Sequence, residues 1–321
     1  MASSSRSTSS RRCWPARSIR SSRRCSPPSA PPSLRGTGRP EVVGSLRPAD
    51  VLRRAAAYLE RHGVESARAE AERLLMHVLG TDRASLYARS DGLDARQARM
   101  FGRALCQRCS GTPLQHLTGE QGFRRIAVEV RPGVFVPRPE TEVLVERALE
   151  ALVEVEAPVV VDVGTGSGAI ALAIKDERPD ARVFAIDGSP EAVELARANA
   201  ARLGLEVTVL EGDLLSPLPD ELRGWVDLVV SNPPYVEPQE FGDLPPEVRA
   251  DPVGALVGGT QVHERLAAEA PRWLRDGGAL AVEIAAPQRE RVAAALSASF
   301  VDVRVDRDLA GRDRVIVARR P

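Results

Sequence analysis

Cysteine, lysine and histidine are all scarce in this chain of 321 residues. Cys13 and Cys25 lie near the start, while Cys106 and Cys109 form one Cys-x-x-Cys with no second pair and no histidine at zinc spacing. Neither a metal site nor a disulfide framework is expected, and the chain reads as an intracellular protein of a reducing compartment. His62, His77, His116 and His263 are scattered, and Lys175 is the only lysine, so arginine supplies every other fixed cation. No apolar run approaches the length of a membrane span, and no membrane partner is expected. Acid is missing from residues 1–40, which hold nine arginines. The other 35 basic residues face 44 acidic ones, so the body from Glu41 onward is net −9 although the whole chain sums to zero. An acidic body disfavours a general phosphate-binding surface, and no stable nucleic-acid partner is expected.

What is present is ordinary for a globular protein, with 43% hydrophobic and 27% charged residues and length enough for two domains. Residues 1–40 are Ser, Arg and Pro with almost no apolar periodicity, a composition that cannot offset its ordering entropy. A disordered tail or a start placed too far upstream is the favoured reading, and an organellar targeting peptide the minor alternative. Residues 46–111 carry helical periodicity and read as a small helical domain. Pro48 opens a first helix closed near Gly63; Ser66 caps a second closed by Gly80; Asp94 caps a third through Cys109. On that third helix Cys106 and Cys109 read as packing residues. Residues 112–140 read as a β-hairpin linker, with strands Phe123–Val130 and Val134–Val136 around the turn Arg131-Pro132-Gly133.

From residue 141 to 321 strands alternate with helices, the signature of an α/β fold with a parallel sheet. The expected strands are Val159–Val163, Arg182–Ile186, Glu206–Leu210, Val226–Val230 and Ala279–Ile284, then a closing pair, Val301–Asp306 and Arg314–Ala318. Residues 236–260 form a long Pro/Gly-rich segment of the kind that often serves as a lid, and a helix is expected over 261–275.

The chemistry gathers at four strand ends, where open α/β sheets bind ligands. After the first strand, Gly164-Thr165-Gly166-Ser167-Gly168 turns into a helix, so a ligand can approach the backbone and meet N–H groups at the helix start. Asp187 ends the second strand, where a carboxylate can accept two ribose hydroxyls. Asp213 ends the third, placed to accept from an adenine amino group. An adenosine-containing ligand follows, whether a dinucleotide or a methyl donor. The fourth strand end separates the two. Ser231-Asn232-Pro233-Pro234-Tyr235 stops a strand with two prolines, which remove two donors and fix two φ angles. Such a turn suits methyl transfer to a planar nitrogen. The Asn232 oxygen and Pro233 carbonyl can accept its two hydrogens and localise its lone pair, while Tyr235 packs on the planar group. Hydride transfer needs no such turn.

With these residues in hand, the chain from Leu46 onward resembles the release-factor glutamine N5-methyltransferases. The resemblance rests on Pro113–Glu120, on Pro137-Arg138-Pro139-Glu140-Thr141-Glu142, on Asp162–Gly168, on Ser231–Tyr235 and on Asp308–Arg314. It implies a Rossmann-like seven-stranded methyltransferase sheet with a small N-terminal helical domain that helps dock the substrate protein. It implies S-adenosylmethionine as cofactor and, as substrate, the glutamine amide in the Gly-Gly-Gln loop of peptide chain release factors, in the cytoplasm. By the family pattern Gly164–Gly168, Asp187 and Asp213 with Leu214 hold the cofactor, with Asn232 beside it, and Asn232, Pro233, Pro234 and Tyr235 grip the glutamine. Leu214 stands where an aromatic is frequent, Arg124-Arg125 where an aromatic and a glycine often follow the Phe, and Ala285 where glycine is usual; the segment Asp251–Leu266 is shorter than usual and lacks an acidic-Gly pair after Gly258-Gly259. The rival readings are an adenine- or guanine-nitrogen methyltransferase on RNA or DNA, and a non-catalytic adapter built on the same fold. The acidic body disfavours the first, and the intact strand ends disfavour the second.

Overall fold

The computed structural model describes residues 47–321; the expected tail over residues 1–40 lies outside them. Helix α1 (Pro48–Arg61) starts with proline at its first turn and buries Leu52, Ala55, Ala56 and Leu59. Helix α2 (Ala67–Leu79) ends on Gly80 at φ 60°, but Ser66 makes no side-chain cap, contrary to the expected capping role. A short α3 (Arg83–Ala88), capped by Asp82, was not expected. Helix α4 (Ala95–Cys109) opens with a reciprocal capping box between Asp94 and Gln97. Leu74, Leu75, Leu86 and Phe101 close a core among these helices. Cys109 is half-buried, but Cys106 is exposed, so it does not take the packing role expected of it.

After α5 (Leu114–Thr118) comes a hairpin, β1 (Glu120–Phe123) with β2 (Ile126–Glu129), whose register pairs Phe123 with Ile126. The hairpin turn is therefore Arg124-Arg125; Arg131-Pro132-Gly133 does turn, closed by the Val134 N–H on the Arg131 carbonyl at 3.2 Å, but it joins no strands, because Val134–Val136 forms none. Tertiary contacts decide this. Arg124 is held at φ 50° by a backbone bond to Glu142 (3.1 Å) and a bidentate pair with Glu177. Val134 and Val136 spend their apolar surface in the core as buried loop residues.

The remaining elements are α6 (Thr141–Ala151), β3 (Val159–Val163), α7 (Ala169–Glu177), β4 (Arg182–Asp187), α8 (Pro190–Leu203), β5 (Val207–Glu211) and β6 (Val226–Ser231). They continue with α9 (Val253–Leu256), α10 (Gln261–Glu269), β7 (Leu274–Glu283), α11 (Arg289–Ser297), β8 (Val301–Arg307) and β9 (Asp313–Arg319). The helix expected over 261–275 stops at Glu269 because Pro271 lacks the N–H that would continue it, and one 3₁₀ turn leads into β7. That strand starts at Leu274, five residues before the expected Ala279.

Seven strands form one sheet in the order β5-β4-β3-β6-β7-β9-β8, with β9 antiparallel to both its neighbours and the others parallel. One face packs on α6, α7 and α8 through Leu144, Val145, Ile170, Ile174 and Val193. The other packs on α10 and α11 through Leu266, Val292 and Leu296. The chain runs outward from β3 to β5 and then returns to the far side of β3, so the strand order reverses between β3 and β6. A crevice opens at the carboxyl ends of strands at such a switch point. Among the described residues no helix is long and apolar enough to cross a membrane.

Candidate active site

Sheet register places the two motifs side by side. Val163 pairs with Ser231, so the residues that follow, Gly164 and Asn232, leave neighbouring strands together. Above them lies a cleft of about 740 Å³ lined by Gly164–Ser167, Asp187, Asp213, Leu214 and Asn232–Tyr235. Gly168 is not among its lining residues; it sits behind the turn at φ 86°, where a Cβ would stand 3.0 Å from Leu172 and 3.3 Å from Ala196.

The glycine turn is fixed from below. The N–H groups of Gly164 and Thr165 donate to the Ile186 carbonyl at 2.8 and 3.0 Å. Asp162, fully buried under the turn, accepts from the Thr165 hydroxyl (2.6 Å) and the Ala171 N–H (3.2 Å) with one oxygen. Among the described residues its other oxygen has no partner, and burial pushes the carboxyl up to about 7. Asp187 accepts from the Gly166 N–H (2.8 Å) through one oxygen and the Ser189 N–H (2.9 Å) through the other, which locks the carboxylate at the tip of β4. Burial raises its pKa as well. Asp213 is different. Its side chain is 70% exposed and bridged by Arg265 at 2.7 and 3.2 Å, which holds its carboxyl below the usual range. Leu214 beside it is buried with φ 48°.

On the other side of the cleft the Asn232 amide donates through Nδ2 to the Thr141 hydroxyl at 3.1 Å. Among the described residues its Oδ1 accepts no hydrogen bond from the protein. Pro233 is buried and Pro234 half-buried. Tyr235 donates its hydroxyl to Glu283 at 3.2 Å, and its carbonyl accepts from Gln288 at 2.7 Å. Burial against the Glu283 carboxyl pushes the Tyr235 phenol up, so it stays protonated.

Residues 236–260 cover the cleft with Leu244, Val248, Pro252, Ala255 and Leu256. The segment is pinned in two places. Asp251, its side chain fully buried, pairs with Arg138 and accepts from the Val136 N–H at 3.3 Å. Glu247 accepts from Arg108 of α4 at 2.7 Å, and the same guanidinium holds Glu70 of α2. Removing one partner of a buried pair leaves the other charge uncompensated. Asp251→Ala is therefore expected to lower unfolding stability by about 3 kcal/mol and to speed proteolysis within residues 236–260. A denaturant midpoint and a limited-proteolysis time course check this, and an unchanged cleavage rate would show that the pair does not hold the cover.

Two family models match parts of the chain. Residues 50–119 match the PrmC N-terminal domain family, and residues 126–244 match the methyltransferase small domain family. A release factor glutamine methyltransferase of Mycolicibacterium smegmatis is 45% identical over 273 residues, spanning 83% of this chain and 95% of that one. One from Deinococcus radiodurans is 44% identical over 277 residues, spanning 84% and 98%. The chain belongs to the release factor glutamine methyltransferase family. A solved protein-(glutamine-N5) methyltransferase from Alicyclobacillus acidocaldarius, 31% identical, overlaps 58% of this chain and 94% of its own at a TM-score of 0.37.

Three features of this family member escaped sequence reading. Thr141 was legible only as part of the Pro137–Glu142 motif, yet it bonds the Asn232 amide. Asp251 looked like an ordinary loop acid but is buried. Glu283 carried a usable signal: it is the single charged residue in the apolar run Ala279–Ile284, at the carboxyl end of a strand.

Proposed function

We propose that the protein transfers a methyl group from S-adenosylmethionine to the side-chain amide nitrogen of the glutamine in the Gly-Gly-Gln loop of a peptide chain release factor. The observation that carries this reading is the adjacency of the glycine turn and Asn232-Pro233-Pro234-Tyr235 across the switch point, in a chain that belongs to this family. The cleft suits the cofactor chemically. Among the described residues, added Cβ atoms at Gly164 and Gly166 would meet nothing within 4 Å, so the turn faces open space, and the buried Ser167 hydroxyl has no partner. Gly164–Ser167 would hold it from the turn, with Gly168 bracing that turn from behind. Asp187 would take the ribose hydroxyls, and Asp213 and Leu214 would flank the adenine. Bound there, S-adenosylmethionine supplies a methyl group on a positively charged sulfur.

The protein's own residues deal with the other reactant. An amide nitrogen is a poor nucleophile because its lone pair is delocalised into the carbonyl. Asn232 Oδ1 and the Pro233 carbonyl would accept its two hydrogens, and with Nδ2 bonded to Thr141 the free end of the Asn232 amide is Oδ1. The lone pair is then localised and held in one direction. Tyr235 would pack on the amide plane. Rate enhancement of this kind comes from positioning and fixed dipoles. Release factors act at the ribosome, so the expected site of action is the cytoplasm, without a membrane or stable nucleic-acid partner.

The test uses the full chain, radiolabelled S-adenosylmethionine, a release factor, its Gln→Ala loop variant, and RNA or DNA. Label on the unmodified release factor alone is the expected result. Label on nucleic acid, or equal label on the loop variant, would overturn the reading.

A further inference from the structure

Glu283 ends β7, and sheet register sets it beside the transfer site: Ser231 pairs with Val282, so Asn232 and Glu283 leave adjacent strands together. The side chain is 1% exposed, yet it lines the cleft. A carboxyl is costly to bury, so the structure must compensate for it. One oxygen accepts from the Tyr235 hydroxyl at 3.2 Å. The other oxygen has no hydrogen-bond partner among the described residues. The Thr141 hydroxyl stands beside the carboxyl and is the same hydroxyl that accepts from Asn232 Nδ2. The backbone at Glu283 is held too, since its carbonyl accepts from His263 Nε2 at 2.8 Å and its register partner on β9 is Val315.

Resting on the reaction proposed above, we infer that Glu283 is a positioning residue for methyl transfer, orienting Asn232 through Thr141 and Tyr235 directly. Neither residue that grips the planar amide can set its own orientation. The Asn232 amide could rotate to present its NH₂ to the substrate, and an NH₂ would repel the hydrogens it must accept. Thr141 prevents this only if its oxygen accepts from Nδ2 and its own hydrogen points elsewhere. An ionised Glu283, whose second oxygen has no hydrogen-bond partner among the described residues, would supply that elsewhere as an acceptor. A neutral carboxylic acid keeps one acceptor oxygen, which the Tyr235 hydroxyl already uses, so none is left for Thr141 once the other oxygen has become a donor.

The charge state is set by several groups. Burial pushes the Glu283 carboxyl up to about 7, with the Glu140 charge adding to that; Thr141, Arg314 and Tyr235 oppose it. Arg314 is itself held by Asp308 at 3.2 Å. Protonation thus sets in as pH falls through about 7, and turnover should fall with it. Asp162 is also pushed up to about 7, but it braces the cofactor turn, so the profile is taken at saturating S-adenosylmethionine.

The experiment compares wild type, Glu283→Gln, Thr141→Val and the double variant, with release factor methylation followed from pH 6 to 9. Cofactor affinity is measured separately by calorimetry. For Glu283→Gln we expect kcat about tenfold lower at pH 8, KM and cofactor affinity within threefold, and loss of the acidic limb. Thr141→Val should lower kcat by a similar factor, and the double variant should be no worse than the poorer single one. A Glu283→Gln enzyme that keeps the wild-type acidic limb, a loss confined to cofactor affinity, or single effects that multiply would each overturn the inference. If wild type itself leaves the release factor glutamine unlabelled, the proposed reaction fails instead.

Discussion

Replacing Asn232 by alanine is expected to lower kcat for methyl transfer by about 10²–10³, the usual consequence of deleting one preorganised group that acts mainly on the transition state. S-adenosylmethionine should still bind within a few fold. The reason lies in how the work is divided across the cleft. The proposed cofactor side is built from β3 and β4, where Asp187 and the Gly164–Ser167 turn are fixed by backbone bonds that do not involve Asn232. Asn232 belongs to the opposite wall, anchored on Thr141. Alanine removes the acceptor and leaves Thr141 without its donor, but the two prolines keep the strand end in place. Calorimetric titration with the cofactor and single-turnover methylation of a release factor separate the two outcomes. If cofactor affinity collapsed along with turnover, Asn232 would be chiefly a cofactor residue, and the division of labour would be wrong.

A larger structural effect is expected at Gly258, a residue with no catalytic group. A Cβ there would stand 2.3 Å from the Pro234 carbonyl oxygen and 3.1 Å from its Cγ. Neither atom can rotate away, because one is backbone and the other belongs to a ring. The carbonyl is also part of the turn that aims Asn232 and Tyr235. Gly258→Ala must therefore displace either the cover segment or the Pro-Pro turn. We expect a loss of about 2–3 kcal/mol in unfolding free energy, within the range for overpacked interiors. Activity should fall by at least tenfold beyond what the unfolded fraction explains. Gly242→Ala is the control, since a Cβ there meets nothing within 4 Å. Equal melting temperatures for the two variants would mean that the cover rides loosely over the turn and that the close approach has no consequence.

Much of this was readable before any coordinates. The parallel strands β3, β4, β5 and β6 carry apolar runs that end in Gly, Asp or Asn, and their boundaries agree with sequence expectation to within about one residue, the local precision that contiguous patterns allow. A hairpin was readable within residues 112–140, but its register was not. Val134–Val136 has the composition of a strand, but its neighbours in space are distant in sequence, and Arg124 turns the chain early through contacts with Glu142 and Glu177. Cys106 likewise sits at a plausible helical position, and only the packing of α4 decides which face is turned outward.

The site divides along the same line. Sequence by itself determined the glycine turn, the acids after β4 and β5 and the Asn-Pro-Pro-Tyr stop, because each is a short contiguous segment whose geometry follows from its own residue types. Tertiary structure alone decided how those pieces are held. Thr141 reaches Asn232 across 91 positions, Tyr235 reaches Glu283 across 48, and Asp251 reaches Val136 across 115. No local rule links residues so far apart. Sheet register and the burial of a few polar groups bring them together, and in this protein those contacts orient the residues that the motifs supply.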